Sequence, residues 1–160
     1  MKVLLISGPN LNILGQRQPE IYGSQTLADI EDLVGKRAKE WGVTIRPYQS
    51  NHEGAIIDFI QQERSAEGLI INPGALSHYG YSLRDALEAF PGGKMEVHLS
   101  NVHAREEFRH NLVTAPIMDG VVAGLGWRGY LAALDALGPM LQERLNRDAP
   151  AAPASSESSA

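Results

Sequence analysis

Val3-Leu4-Leu5-Ile6 runs into Ser7-Gly8-Pro9-Asn10: a short apolar stretch that stops on small and polar residues. The chain repeats this pattern. Ile45-Arg46-Pro47-Tyr48 leads into Gln49-Ser50-Asn51-His52, Leu69-Ile70-Ile71 into Asn72-Pro73-Gly74, and Met95-Glu96-Val97-His98-Leu99 into Ser100-Asn101-Val102-His103. Runs of this length read as buried parallel strands, and helical patterns lie between them. Open α/β sheets bind ligands at the carboxyl ends of their strands. Asn10, Asn51, Asn72, His98 and Ser100 are therefore expected to converge on one pocket.

Working outward, residues 2–7 read as the first strand and 8–25 as a long loop rich in Gly, Pro, Asn and Gln. Loops beyond about 12 residues in a compact domain are usually functional or disordered. A helix is predicted from Thr26 to Trp41, with Leu27, Ile30, Val34 and Ala38 on its apolar face. Thr26 and Asp29 suggest a capping box, and Gly42 a stop. Strand Val43–Tyr48, helix 53–65, strand Leu69–Ile71, helix 80–90, strand Lys94–Leu99, a short helix over Ala104–His110, and a strand around Val121–Ala123 follow. A last helix starts near Gly126, and Pro139 is expected to kink or break it. Five strands alternating with helices predict a three-layer α/β domain of flavodoxin-like type, with parallel strand order 2-1-3-4-5 and helices on both faces. One domain is expected over residues 1–147. The Ala/Pro/Ser/Glu stretch from Asp148 onward, without aromatics, is expected to be disordered.

Composition narrows the function. The 160 residues carry a net charge of −5, which argues against nucleic acid as a partner. There is no cysteine, hence no disulfide, thiol nucleophile or thiolate metal site. No run reaches the roughly 18 apolar residues of a membrane span, and the opening apolar run is too short for a signal peptide, so a cytoplasmic protein is expected. G-x-S-x-G is absent, which disfavours a serine nucleophile. Gly124-Leu125-Gly126-Trp127-Arg128-Gly129 matches G-x-G-x-x-G, but no strand with an acidic residue follows at the required distance, so it reads as a tight turn. His98 and His103, with Glu96, could suggest a metal site, but beyond Glu96 and His98 on one strand face no third ligand has a fixed spacing, so no metal is expected.

Two constellations remain. The long loop carries Arg17 and Tyr22. A phenol is a poor base at neutral pH, but a neighbouring guanidinium favours the phenolate. An Arg and a Tyr on one loop can thus supply a base. Glu96 and His98, two apart on a strand, share a face, so the glutamate can orient the imidazole. Arg105 and Arg109, four apart, are expected to project on one helical side and to suit a carboxylate or polyol substrate.

These residues match a family. Gly8-Pro9-Asn10-Leu11-Asn12, Leu14-Gly15-Gln16-Arg17, Tyr22-Gly23, Asn72-Pro73-Gly74-Ala75, Ser77-His78, Leu83-Arg84-Asp85-Ala86, the block Glu96 to Arg109, Gly124-Leu125-Gly126 and Gly129-Tyr130 occur in order. In them the chain closely resembles the type II 3-dehydroquinate dehydratases of the shikimate pathway. The resemblance implies a homododecamer built as a tetramer of trimers. It implies cofactor-free, reversible dehydration of 3-dehydroquinate to 3-dehydroshikimate by anti elimination through an enolate. Tyr22 is implied as base, Arg17 as its electrostatic partner, His98 as acid and Asn10 as enolate stabiliser. Asn72 and the backbone amides of Leu99 and Ser100 are implied to hold the substrate carboxylate, and His78 and Arg109 its hydroxyls. Asp85 is implied to reach a neighbouring subunit's site. Tyr79 and Tyr81 stand where the family more often has small hydroxyl and aliphatic residues. The competing readings are a flavodoxin-like module that binds a small anion without turnover, and a dinucleotide-dependent oxidoreductase.

Overall fold

The computed structural model describes residues 1–16 and 18–150, except for the side chains of Pro19 and Tyr22. The expectations for Arg17, for the Tyr22 phenol and for the tail from Ala151 fall outside it. Strand β1 is Lys2–Ser7, followed by a 3-10 turn at Leu11–Ile13 and a single helical turn, α1, at Pro19–Tyr22. Helix α2 (Leu27–Ala38) runs on into a 3-10 turn, Lys39–Trp41, before β2 (Thr44–Gln49). Then come α3 (Glu53–Gln62), β3 (Gly68–Asn72), α4 (Tyr81–Ala89), β4 (Gly93–His98), β5 (Gly120–Ala123) and α5 (Arg128–Asp148). All pairings are parallel, in the order β2-β1-β3-β4-β5. This is the three-layer α/β order that the strand-and-helix alternation predicts.

Side chains alternate across a strand, and β1 shows the result. Val3 and Leu5 pack with Ile30, Val34, Tyr130, Leu134 and Leu137 of α2 and α5. Leu4 and Ile6 pack with Ile56, Ile60, Leu83 and Leu87 of α3 and α4 on the other face. Both faces of these central strands are covered, so Val3–Ile6 and Leu69–Ile71 read as unbroken apolar runs. Pro47 is accommodated because β2 is an edge strand, pairing only with β1. The capping box is present: the Asp29 N–H donates to Thr26 Oγ1 (3.2 Å), and the Thr26 N–H donates to Asp29 Oδ2 (3.0 Å). Gly42, at φ 65°, closes the following turn.

Of the kink or break expected at Pro139, a break is absent: α5 runs through it from Arg128 to Asp148. A proline inside a helix costs about 3 kcal/mol. Leu134, Leu137 and Leu141 flank it and are fully buried against the sheet. Each contributes about 1.5–3 kcal/mol of burial, so the packed face outweighs the lost hydrogen bond. Gly138 lets α5 approach Trp41, whose Nε1–H donates to Asp135 Oδ1 (3.0 Å). A Cβ at 138 would lie 2.7 Å from the indole. Alanine normally gains about 1 kcal/mol over glycine within a helix. Overpacking costs about 1–3 kcal/mol. Gly138→Ala is therefore expected to lower the urea midpoint, and a raised midpoint would contradict this packing account.

Candidate active site

The ends of β1, β3 and β4 form one cleft lined by Asn10, Asn72, His78, His98, Leu99, Ser100, Arg105 and Arg109, together with Pro9, Leu11 and Leu14. Gly8 makes this convergence possible. Its N–H donates to the Asn72 carbonyl (2.8 Å), and a Cβ there would collide with the Pro73 carbonyl. Asn10 sits at φ 70°, and its N–H donates to Asn51 Oδ1 (2.9 Å). Asn51 therefore stands behind Asn10 instead of lining the cleft, which corrects the expectation for it. Its carboxamide also accepts from Gln49 Nε2 (3.0 Å), so Asn51 serves as a brace.

Asn72 is buried, and its amide is partly committed. Oδ1 accepts the Gly74 N–H (3.1 Å), and Nδ2 donates to the Tyr130 hydroxyl (3.0 Å). Burial pushes the Tyr130 phenol up to about 12, so it stays neutral. His78 uses Nδ1–H to donate to the Asn111 carbonyl (2.9 Å), which leaves Nε2 as the ring's remaining polar atom. Desolvation lowers the His78 pKa from its ordinary value, and the nearby His98 and Arg109 act in the same direction. The imidazole is thus neutral at pH 7, with a lone pair on Nε2. Phe108 meets the ring edge-on, with centroids 5.7 Å apart.

His98 closes β4 and is buried apart from its pocket edge. Its Nε2 lies 2.6 Å from Glu96 Oε1, so Nδ1 is the nitrogen left for the cleft. Glu96 is fully buried, and its other oxygen accepts from Thr114 Oγ1 (2.7 Å). A carboxylate removed from water needs partners on both oxygens, and here it has them.

The two arginines arrive differently from the expectation. Residues 104–110 are not one helix; 3-10 turns at Val102–Ala104 and Glu107–His110 are separated by an extended Arg105 (φ −114°, ψ −166°). The extended backbone at Arg105 breaks the helical register, yet both arginines line the cleft. Glu106 Oε2 accepts from Arg109 Nε at 2.6 Å and lies 3.8 Å from Arg105 Nε. Arg105 Nη1 also donates to Ser100 Oγ (3.4 Å). Asp85 is exposed on α4 and does not line the cleft of its own chain. The glycine-rich turn after β5 packs back on β4: the Gly124 N–H donates to the His98 carbonyl (3.2 Å), and the Gly126 N–H to that of Leu99 (2.9 Å). Among the described residues, no three His, Asp or Glu side chains are grouped to hold a metal ion.

The model of the family described as Dehydroquinase class II matches residues 1–138. The chain belongs to the class II dehydroquinases. It is 59% identical over 138 residues to a 3-dehydroquinate dehydratase of Roseiflexus castenholzii, covering 86% of this chain and 88% of that one. It is 53% identical over 136 residues to that of Herpetosiphon aurantiacus, covering 84% and 94%. The solved type II dehydroquinase of Butyrivibrio crossotus superposes with a TM-score of 0.83 at 47% identity, over 86% of this chain and 97% of that one. In this class II dehydroquinase the site also rests on Thr114 and Asn111, which no sequence motif marks. Thr114 and Asn111 come from a segment with no period and no charge, so only the folded chain reveals their partners. No helix among the described residues is long and apolar enough to cross a membrane.

Proposed function

We propose that this protein is a 3-dehydroquinate dehydratase of the shikimate pathway, removing water reversibly by anti elimination through an enolate. The observation that carries the chemistry is the joining of His98, backed by Glu96, with Asn10, Asn72, His78 and two arginines in one cleft. Tyr22, made a phenolate by Arg17, takes the proton from the carbon beside the ketone. The C–H electron pair becomes the enolate, and Asn10 stabilises the charge that develops on oxygen. The enolate then collapses to the enone as the C–O bond breaks. His98 Nδ1–H protonates the departing hydroxyl, which leaves as water, and Glu96 steadies the imidazolium. Asn72 with the Leu99 and Ser100 amides holds the carboxylate, Arg105 supports it with positive charge, and Arg109 with His78 binds the ring hydroxyls. Catalysis uses the chain's own side chains and backbone amides, with neither metal nor cofactor.

His78 accepts a substrate hydroxyl at its unprotonated Nε2 in this scheme. Because its folded-state pKa is depressed, the acceptor is intact at neutral pH and is lost only as pH falls through that depressed value, below the ordinary histidine value of about 6.5. KM is expected to rise on that acid side, and a parental KM in His78→Ala would remove His78 from the binding set. The chain acts as one domain over 1–147, in the cytoplasm. It assembles as a homododecamer of four trimers, in which the exposed Asp85 extends to a neighbour's cleft. Mixing chelator-treated protein with 3-dehydroquinate tests the proposal. The enone absorbance of the product is expected to grow without added cofactor. Saturable binding with no absorbance change would mark a small-anion binding module instead.

A further inference from the structure

His78 and His98 stand on different walls of the cleft, one after β3 and the other at the end of β4, yet one short segment serves both. The Asn111 carbonyl accepts the His78 Nδ1–H, and three residues later Thr114 Oγ1 donates to Glu96 Oε2, whose partner oxygen meets His98. The segment is itself fixed. The Val113 N–H donates to the Ser77 carbonyl (2.7 Å), and Arg84 Nη1 donates to the Val113 carbonyl (3.1 Å). Pro116 stiffens the turn that follows.

We propose that Thr114 is a positioning residue for proton delivery, acting through Glu96 on His98. The inference rests on the reading of His98 as the acid. Thr114 is fully buried, and its hydroxyl bond is made in a setting where an unmade bond is costly. That bond fixes the plane of the Glu96 carboxylate, and the carboxylate in turn holds the imidazole through Nε2 so that Nδ1 faces the substrate. Glu96 has no freedom to compensate, because both its oxygens are already engaged. The substrate-binding groups lie elsewhere in the cleft, so Thr114 governs the chemical step and not substrate affinity.

The test compares kcat and KM on 3-dehydroquinate for Thr114→Val, Thr114→Ser and His98→Ala, with thermal unfolding of each. Valine keeps the shape and removes the donor. The expected kcat for Thr114→Val is about ten- to a hundredfold below the parent, the loss of one hydrogen bond to a charged group. KM stays within about twofold, because only the transition state loses the interaction. Serine restores most of kcat. Thr114→Ala is the second hydroxyl-free variant, and carries the same expectation, should valine prevent folding. A hydroxyl-free variant at parental kcat, a serine variant no better than valine, or a rise in KM equal to the fall in kcat overturns the proposal. If His98→Ala is slow while the hydroxyl-free variant is normal, only this inference fails. If His98→Ala keeps parental kcat, the acid assignment fails and this inference with it.

Discussion

His98→Ala is expected to lower kcat on 3-dehydroquinate by about a hundred- to ten-thousandfold, the usual contribution of a positioned general acid. Hydroxide is a poor leaving group, and in the proposed mechanism the ring Nδ1 is its proton source. The same change strips Glu96 of one of its two partners and leaves a buried carboxylate with Thr114 alone. Breaking a buried pair costs about 3–5 kcal/mol. Small domains have about 5–15 kcal/mol in hand, so the variant is expected to fold with a lower Tm. Steady-state rates with parallel thermal unfolding separate the two effects. A parental kcat in a folded variant would move the acid role to another group.

Tyr22→Phe and Arg17→Ala are each expected to lower kcat by at least about a hundredfold. A free phenol has a pKa of about 10, so only about one molecule in a thousand is phenolate at pH 7. A base made from tyrosine needs a cation beside it, and loss of the cation should weaken the base almost as much as loss of its oxygen. Tyr130 is no substitute, although its hydroxyl touches Asn72: burial pushes it up to about 12, which fixes it as a neutral phenol. The two losses should also fall short of adding in the double variant, because the groups act as one unit.

Much of this is legible in the sequence. Apolar runs ending in Ser7, Asn72 and His98 are long enough for strands and too short for helices, and their alternation with helical patterns predicts a parallel sheet. The strand ends then name the cleft. Spacing also places Glu96 on the face of His98, because a strand alternates with period two. Three things are not legible there. Pro139 sits in an unbroken helix because buried leucines on both sides hold it, and local propensity carries no information about that burial. Arg105 and Arg109 reach one cleft without sharing a helix, since Glu106 joins them through space. Thr114 and Asn51 matter through partners 18 and 41 residues away, a distance no periodicity reports.

The central claim is that a phenolate on the loop removes one proton while an imidazolium on β4 supplies the other. The turnover number of Tyr22→Phe on 3-dehydroquinate tests it most directly, since the substitution removes one oxygen and leaves the ring. A kcat at least about a hundredfold below the parent, with enone formation still slow at saturating substrate, is the predicted result. Turnover near the parental rate in that variant would contradict it.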